Sequence, residues 1–325
     1  MRNREPRFKE IVHYVEDRIR CGELTIGDKV PSVNAMRILF GFSRSTVFLA
    51  MEELTSRGII EARPGSGYYV SSTRVEVREK VLLLFNEFNA FKEDLYNSFV
   101  QEMGEDASID IMFHNYNRHV FETLLENANG KYTSYVVMPG KFEGLAPLLD
   151  SMSGDVILVD HFSHYLAGRY PSVGQNFAKD TYNALSENAA SLKKYDTLVL
   201  VQQAEKEPAE RYDGLCRFCR DYGLQPHWWP SMKGEKVRAG ELYLTAEDRE
   251  LVLILKKAEA QGLVVGRDFG VISYNDTPMK EILCGGITTI STDFKRMGRT
   301  LARLVKEKRM ETIANPCTIA IRKSI

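Results

Sequence analysis

Residues 31–58 read PSVNAMRILFGFSRSTVFLAMEELTSRG, and this stretch predicts two helices joined by a short turn. Ser32 stands where it would cap the first helix, and Gly41 stands where that helix would end. Ser43 would cap the second helix, whose amino end carries three more polar residues. Four apolar residues of this helix share the spacing of one helix face: Val47, Ala50, Met51 and Leu54. If that face is buried, the polar amino end projects outward.

The flanking segments complete a small domain. Before the stretch, five apolar residues recur at helical spacing: Phe8, Ile11, Val12, Val15 and Ile19. After it, residues 59–63 and 68–70 predict two short strands, and the glycine-containing turn 64–67 separates them. Three helices followed by a hairpin predict a winged helix-turn-helix domain over residues 1–70.

The chemistry of this domain favours contact with DNA. Hydroxyls and unpaired main-chain N–H groups at a helix amino end suit phosphate oxygens, and arginine suits a phosphate or a guanine edge. The candidate DNA-binding residues are Ser32, Asn34, Ser43, Arg44, Ser45, Thr46, Phe48, Arg63, Gly65, Ser66 and Gly67. For Phe48, contact with a thymine methyl and a plain surface role are both open. The alternative for the whole segment is a winged helix that binds another protein.

Composition sets the broad class. The chain has 325 residues, of which 44% are apolar, and a net charge of −1. Residues 1–70 carry eleven basic and nine acidic side chains, so only a local basic patch is available for DNA. No run of about 18 apolar residues predicts a membrane span, and the charged first ten residues do not resemble a secretory signal. Five scattered cysteines suggest free thiols, so we expect a cytoplasmic protein without membrane contact.

Residues 81–325 alternate strand-like runs with amphipathic helical patterns, after a polar segment, 71–80, that we interpret as a linker. The seven predicted strands are Val81–Phe85, Ile109–His114, Tyr135–Met138, Val156–Asp160, Thr197–Val201, Glu241–Leu244 and Val271–Tyr274. Repeated βα units of this kind predict doubly wound parallel sheets. The fold class is therefore α/β, with a winged helix-turn-helix domain in front. In such sheets ligands bind at the carboxyl ends of the strands.

The sequence lacks the motifs that would indicate a nucleotide cofactor, a catalytic nucleophile or a metal site. No glycine-rich phosphate loop follows a strand, and no nucleophile elbow is present, so we expect neither a nucleotide cofactor nor catalytic residues. Cys216 and Cys219 form one CxxC pair inside a helical pattern without a second pair. His161 and His164 follow a strand, but no third metal ligand accompanies them, so we expect no metal site.

The first seventy residues resemble the GntR family of bacterial transcription regulators. The shared segments are 22–24, 27–32, 43–47, Leu54 with 57–60, and Arg63 with 65–67. The resemblance implies a regulator that binds operator DNA through the residues named above. Asn34 and Phe48 depart from the family, which often has arginine at both positions. The departure implies fewer phosphate contacts or a different operator.

The rest of the chain is similar to the LacI/GalR regulators, whose core is like periplasmic sugar-binding proteins. The matching segments are 268–278, 287–290, 293–294, 297–298, Leu301, Arg211 with Gly214, 244–248, 172–176, and 81–85 with Asn86 and Asn89. The resemblance implies a two-lobed, periplasmic-binding-protein-like domain over residues 81–325 that forms a homodimer and binds a small effector between its lobes. Glu247 stands where the family usually has asparagine, and Asn275 where it often has aspartate.

A carbohydrate would suit the residues at the expected cleft. A pyranose has an apolar ring face for aromatic side chains and rim hydroxyls for planar, bidentate groups. The candidate effector-binding residues are Asn86, Asn89, Phe91, Asp160, Arg211, Trp228, Glu247, Asp248, Asn275 and Phe294. Phe91 and Phe294 have a helix-core role as their alternative, Asp160 has a capping role, and one of Trp228 and Trp229 has a structural role.

Together these features predict a transcription regulator, not an enzyme. Its partners would be a double-stranded operator, a monosaccharide or sugar phosphate, and a second copy of the chain. The resemblance to both families implies a repressor that releases its operator when the effector binds. The alternative is an enzyme that acts on a carbohydrate and carries a DNA-binding appendage.

Overall fold

The computed structural model describes residues 6–73, 79–105, 107–162 and 164–325, without the side chain of His164. At the amino end lie three helices and a hairpin: α1 (Arg7–Arg20), α2 (Val33–Phe40), α3 (Arg44–Ser56), β1 (Ile60–Arg63) and β2 (Gly67–Val70). The two strands pair antiparallel, with Ile60 opposite Val70. The predicted winged helix-turn-helix is confirmed.

The sequence pattern explains the packing of this domain. The side chains of Val47, Ala50, Met51 and Leu54 on α3 are all fully buried. They meet the apolar face of α1, which includes Ile11 and Val15, in one hydrophobic core. Since a helix buries one face against another element, the opposite face of α3 and its amino end stay at the surface.

Beyond residue 78 the chain forms two lobes. The elements up to the first crossing between lobes are β3 (Glu79–Phe85), α4 (Ala90–Met103), β4 (Ala107–Phe113), α5 (Arg118–Ala128), β5 (Ser134–Val137), α6 (Ala146–Asp150), β6 (Asp155–His161) and β7 (Ser172–Gln175). The second lobe follows with α7 (Phe177–Glu187), α8 (Ala189–Leu192), β8 (Thr197–Val201), α9 (Glu210–Tyr222), β9 (Gln225–Trp229), β10 (Glu241–Thr245), α10 (Asp248–Ala260), β11 (Gly270–Tyr274), α11 (Pro278–Ile282) and β12 (Thr288–Thr292). The last elements are α12 (Phe294–Glu307), β13 (Thr312–Ala314) and β14 (Cys317–Ala320).

Each lobe is built on a six-stranded sheet. The first has the order β13-β7-β6-β5-β3-β4, and all its neighbouring strands run parallel. The second has the order β14-β12-β11-β10-β8-β9 and is parallel except for β14. All seven predicted strands are present, with small shifts at their ends. The prediction of doubly wound parallel sheets is confirmed. Part of the predicted linker, residues 74–78, lies outside the described residues.

The chain crosses between the lobes three times: from β7 to α7, from β12 to α12, and from β13 to β14. Asn315, on the third crossing, is only 4% exposed. Its main-chain N–H donates to the carbonyl of Gly174 in β7, next to the first crossing (2.8 Å). Its side-chain amide donates to the Thr292 hydroxyl and the Asp293 carbonyl on the second (both 2.8 Å). One asparagine therefore ties all three crossings together.

Helix α12 returns to the first lobe and packs closely on α4. The closest approach is at Gly298, where an added Cβ would lie 2.3 Å from the Leu95 carbonyl oxygen and 2.3 Å from the Ser98 hydroxyl. A methyl group at that position would push the two helices apart.

We expect the substitution Gly298→Ala to lower the free energy of unfolding by about 1–3 kcal/mol, the usual cost of overpacking. Urea denaturation measures this loss. The control is Arg299→Ala on the exposed side of the same helix, which should change stability by no more than about 0.5 kcal/mol. Equal stabilities for the two variants would contradict the close packing of α12 on α4.

Within the described residues, no helix combines the length and the apolar composition needed to cross a bilayer.

Candidate functional site

The amino end of α3 presents a cluster of hydroxyl groups at the surface. The Ser43 hydroxyl accepts a hydrogen bond from the main-chain N–H of Thr46 (3.2 Å), so it caps the helix. The same hydroxyl lies 2.8 Å from the hydroxyls of both Ser45 and Thr46. Ser43, Arg44 and Ser45 are exposed, while Thr46 is half-buried. The free N–H groups of a first helical turn and these hydroxyls face the same solvent region, where an anion would be stabilised.

The arginine of this cluster is held in place by an aromatic ring. The Arg44 guanidinium lies 5.4 Å from the centroid of the half-buried Phe48 ring. A cation over a ring face is attracted to it, which limits the conformations of a long side chain. Phe48 thus has a contact inside the helix, and its predicted contact with a base stays a prediction.

The hairpin turn carries a second exposed arginine. The Arg63 guanidinium stacks on Tyr69, 4.3 Å from the ring centroid, and also pairs with Glu61 at 2.8 Å. The Tyr69 hydroxyl is 2.6 Å from that of Ser66. Gly65 and Gly67 both have φ in the left-handed region, 71° and 116°, which explains glycine at these turn positions.

The remaining predicted DNA-binding residues lie at the start of α2, and a basic side chain that was not among the candidates, Lys29, lies near the hairpin. Ser32 caps α2 by accepting a hydrogen bond from the main-chain N–H of Ala35 (3.2 Å), and Asn34 is exposed. Lys29 reaches the wing, with its ammonium 5.8 Å from the Tyr69 ring centroid. In the sequence, Lys29 lies in the predicted turn before α2, far from residues 60–70. Only the folded structure places it beside the hairpin.

A cleft lies between the two lobes, at the carboxyl ends of their strands. Six of the predicted effector-binding residues line it: Asn86, Phe91, Asp160, Arg211, Asn275 and Phe294. The Phe91 and Phe294 rings lie 4.8 Å apart and also pack on the core of the first lobe. Both of their predicted roles, cleft surface and helix core, therefore match their positions.

Arg211 is the best-supported polar group of the cleft. Its guanidinium lies between two rings, 4.4 Å from the centroid of Tyr274 and 5.0 Å from that of Phe177, and it pairs with Glu207. Burial alone would lower the pKa of Arg211, but the Glu207 carboxylate contributes to a net rise above its ordinary value. The buried Nε has no hydrogen-bond partner among the described residues. Arg211 is thus a buried cation whose Nε–H group could donate a hydrogen bond to a ligand.

Two cleft residues have unusual backbone conformations. Asp160, near the end of β6, has φ of 80°, and Asn275, directly after β11, has φ of 63°. The Asp160 carboxylate accepts a hydrogen bond from Gln175 at 2.6 Å. Non-glycine residues in this region cost about 1–3 kcal/mol and cluster at functional sites. The two strand ends therefore direct polar side chains into the cleft at an energetic cost.

The other four predicted effector-binding residues lie outside the cleft lining. Asn89 caps α4 by accepting from the main-chain N–H of Lys92 (3.2 Å). The Trp228 indole N–H donates to the Gln202 carbonyl at 2.9 Å. Asp248 pairs with the buried ammonium of Lys280 at 3.0 Å. Glu247 is half-buried, and burial raises the pKa of its carboxyl group. Their predicted part in effector binding stays a prediction.

Several residues that line the cleft were not among the predicted effector-binding residues. They include Lys92, His114, Tyr116, Lys141, His161 and Phe177. Two of them, Lys141 and His161, form contacts between the lobes. The Lys141 ammonium donates to the carbonyl oxygens of Ala204 (2.5 Å) and Glu207 on the second lobe. His161 lies 3.0 Å from a Glu210 carboxylate oxygen. In the part of the chain that is described, no three His, Cys, Asp or Glu side chains are grouped to hold a metal ion.

Two protein families match the two parts of the chain. Residues 8–70 match the bacterial regulatory proteins of the gntR family. Residues 193–325 match the periplasmic binding protein-like domain. Both matches confirm the resemblances stated above for the two parts of the chain.

Among curated relatives, the HTH-type transcriptional repressor YtrA of Bacillus subtilis (strain 168) is 30% identical over 94 residues. That match covers 29% of this chain and 68% of YtrA. Five further curated relatives match over 62 to 103 residues, and the chain spans only 13% to 35% of their length.

Solved structures resemble the two-lobed part. A periplasmic binding protein/LacI transcriptional regulator from Alkaliphilus metalliredigens QYMF, complexed with D-xylulofuranose, has a TM-score of 0.64 and 10% identity, covering 76% of this chain and 98% of the other. The lac repressor dimer bound to operator and the anti-inducer ONPF has a TM-score of 0.65 and 14% identity, covering 77% and 95%. At these identities the similarity shows the fold alone.

Proposed function

Since this chain belongs to the GntR family of bacterial regulatory proteins, we propose that it is a transcriptional repressor controlled by a carbohydrate. The winged helix would bind a double-stranded operator, and the cleft between the lobes would bind the effector. Effector binding would lower the affinity for the operator. The proposal joins the two parts of the molecule in one regulatory cycle.

The observation that carries the proposal is the exposed amino end of α3. Its cap is made by Ser43, while Arg44 and Ser45 beside it are exposed. Main-chain N–H groups and short hydroxyls at a helix start bind phosphate oxygens, and an arginine there reaches a base edge. Arg63 on the wing would add a contact to a neighbouring phosphate.

The composition of the cleft supports a carbohydrate effector. Phe91 and Phe294 offer apolar rings, and Asp160, Arg211 and Asn275 offer donors and acceptors from the surrounding walls. Apolar surfaces with a few convergent polar groups are typical of small-molecule sites. A sugar combines an apolar ring face with hydroxyl groups at its rim, so it would use both.

A homodimer would give the operator its symmetry. Two recognition helices related by a twofold axis would meet half-sites about 34 Å, or a multiple of that, apart. The three crossings between the lobes, tied by Asn315, would act as the hinge. Closure of the lobes on the effector would change the spacing of the two winged helices and lower operator affinity by about 1–3 kcal/mol.

The experiment that tests the proposal selects DNA sites for the full-length chain from a random duplex library. We expect an inverted repeat to be enriched. Anisotropy titrations with that duplex, with and without each member of a panel of neutral monosaccharides, sugar acids and sugar phosphates, should then show one that weakens binding. Failure to enrich any duplex would overturn the DNA-binding part of the proposal, and a panel without effect would overturn the carbohydrate part.

We expect Arg63→Ala to weaken operator binding moderately and to make it less sensitive to salt. Each phosphate contact releases counterions, so its removal should reduce the slope of log affinity against log salt concentration by about one per half-site. Titrations at several salt concentrations measure the slope. An unchanged slope would show that Arg63 does not touch a phosphate.

A further inference from the structure

Lys92 is an unusual residue in the wall of a cleft. It lies in the first turn of α4, and it is only 3% exposed. Its ammonium donates to the side-chain oxygen of Asn86. Among the residues that the structure describes, it forms no ion pair with a carboxylate within 4 Å. An ammonium has three donors and strongly disfavours burial without an anion.

The carboxylates that act on Lys92 already have partners of their own. Three acidic residues act on Lys92 at longer range: Asp160, Glu87 and Glu207. Asp160 accepts from Gln175, Glu87 accepts from Asn89 at 3.3 Å, and Glu207 pairs with Arg211. Burial lowers the pKa of Lys92, and these carboxylates only partly oppose that effect. An additional anion at direct contact would complete the environment of the ammonium.

The helix that carries Lys92 favours the same charge. Helix α4 has 14 residues, and its amino end lies at the cleft, where Phe91 and Lys92 line the wall. The partial positive charge of a helix amino end stabilises anions within the first turn. Lys92 and the helix dipole therefore act in the same direction.

His114 supplies a second, independent indication of a ligand. It is fully buried, lines the cleft, and its Nε2 lies 3.1 Å from the Met138 carbonyl oxygen. Burial lowers the pKa of His114 to about 4, so the ring is neutral near pH 7 and Nε2 carries the proton that it donates. Nδ1 is then an acceptor, and it has no partner among the described residues. A hydroxyl group in the cleft would provide the missing donor.

We propose that the effector is a sugar acid, whose carboxylate pairs with Lys92 and one of whose hydroxyls donates to Nδ1 of His114. The inference rests on the proposed function of the cleft and specifies its ligand. A phosphate dianion fits less well, because the carboxylates of Asp160, Glu87 and Glu207 already act on Lys92 and would repel a second negative charge. A single carboxylate balances one ammonium.

Calorimetry and thermal shift on the full-length chain test this inference with matched probes. One set is glucose, glucuronate, gluconate and glucose 6-phosphate, and a second set is built in the same way on galactose. We expect at least one acid to raise the melting temperature and to bind at least tenfold more tightly than both its neutral parent and its phosphate. Equal or tighter binding of the neutral parent or the phosphate would overturn the inference.

Variants then locate the carboxylate. Lys92→Met should weaken binding of the acid at least tenfold and binding of the neutral parent less than threefold. His114→Phe should weaken both to a similar extent, because the hydroxyl is common to both. Lys194→Met, which removes a charge at an exposed site away from the cleft, should change neither. Unchanged affinity of Lys92→Met for the acid would overturn the inference.

The outcomes separate this inference from the proposed function. If neutral sugars bind and acids do not, the proposal of a carbohydrate effector stands, and the inference that the effector is a sugar acid fails. If no compound of either set shifts the melting temperature, both fail. If Lys92→Met does not fold, the comparison of acid, parent and phosphate on the unmodified chain still decides.

Discussion

We expect Arg44→Ala to cause the largest loss of operator affinity of any single substitution in the winged helix. Arg44 is the first residue of α3 and is exposed, with its guanidinium over the Phe48 ring. An arginine contact to a guanine or a phosphate is worth about 1–3 kcal/mol. A homodimer would lose that contact at each of two half-sites, so the total loss would be about 2–6 kcal/mol.

The substitution should leave the fold intact. The Ser43 cap and the buried face of α3 do not involve the Arg44 side chain. Alanine is also a good helix former, so the helix should begin at the same residue. A change in affinity with an unchanged melting temperature would therefore report a lost contact to DNA.

Anisotropy titrations of the selected duplex at fixed salt concentration measure the effect. Arg220→Ala is the matched control, because that arginine has a side chain 76% exposed on the second lobe, and its removal should not change binding. If Arg44→Ala binds the duplex as tightly as the control does, the amino end of α3 does not dock on the operator.

The sequence predicted the winged helix well because its apolar periodicity is strict. Every residue assigned to the inner face of α3 is buried. In the two lobes, runs such as Thr197–Val201 predicted strands because parallel strands are covered on both faces and are therefore continuously apolar. Strands β12 and β9 were not predicted, because their residues do not form a continuous apolar run. Strand β12 is buried although four of its residues are threonine or serine, and β9 contains Pro226 at the edge of its sheet.

Cleft residues could be predicted where a polar side chain lies at the end of a predicted strand. Asp160 and Asn275 follow apolar runs, and the resemblance to LacI/GalR regulators marked Arg211. Lys92 and His114 gave no such signal. A lysine in an amphipathic helical pattern is usually a solvated residue, and a histidine at a strand end is ambiguous. Only the folded structure, in which both side chains are buried and line the cleft, distinguishes them from such residues.

Arg211→Ala should remove the response to the effector while operator binding is retained. The guanidinium is buried between Tyr274 and Phe177, and its Nε has no partner among the described residues, so a ligand acceptor would complete it. Truncation of one partner in a buried, hydrogen-bonded charged pair costs about 2–5 kcal/mol of binding free energy. The winged helix lies in another part of the chain and keeps its contacts.

Calorimetry with the compound that stabilises the unmodified protein measures the loss, and anisotropy with the selected duplex measures release from DNA. Arg217→Ala is the matched control on the same helix, α9. Its guanidinium stacks on Tyr182, 4.2 Å from the ring centroid, and it does not line the cleft. Because coupling between two sites is reciprocal, Arg211→Ala should also remove the effect of DNA on effector affinity. Unchanged affinity for the effector in Arg211→Ala would show that Arg211 does not contact the effector. The proposal would then lose its strongest support for ligand binding by the second lobe.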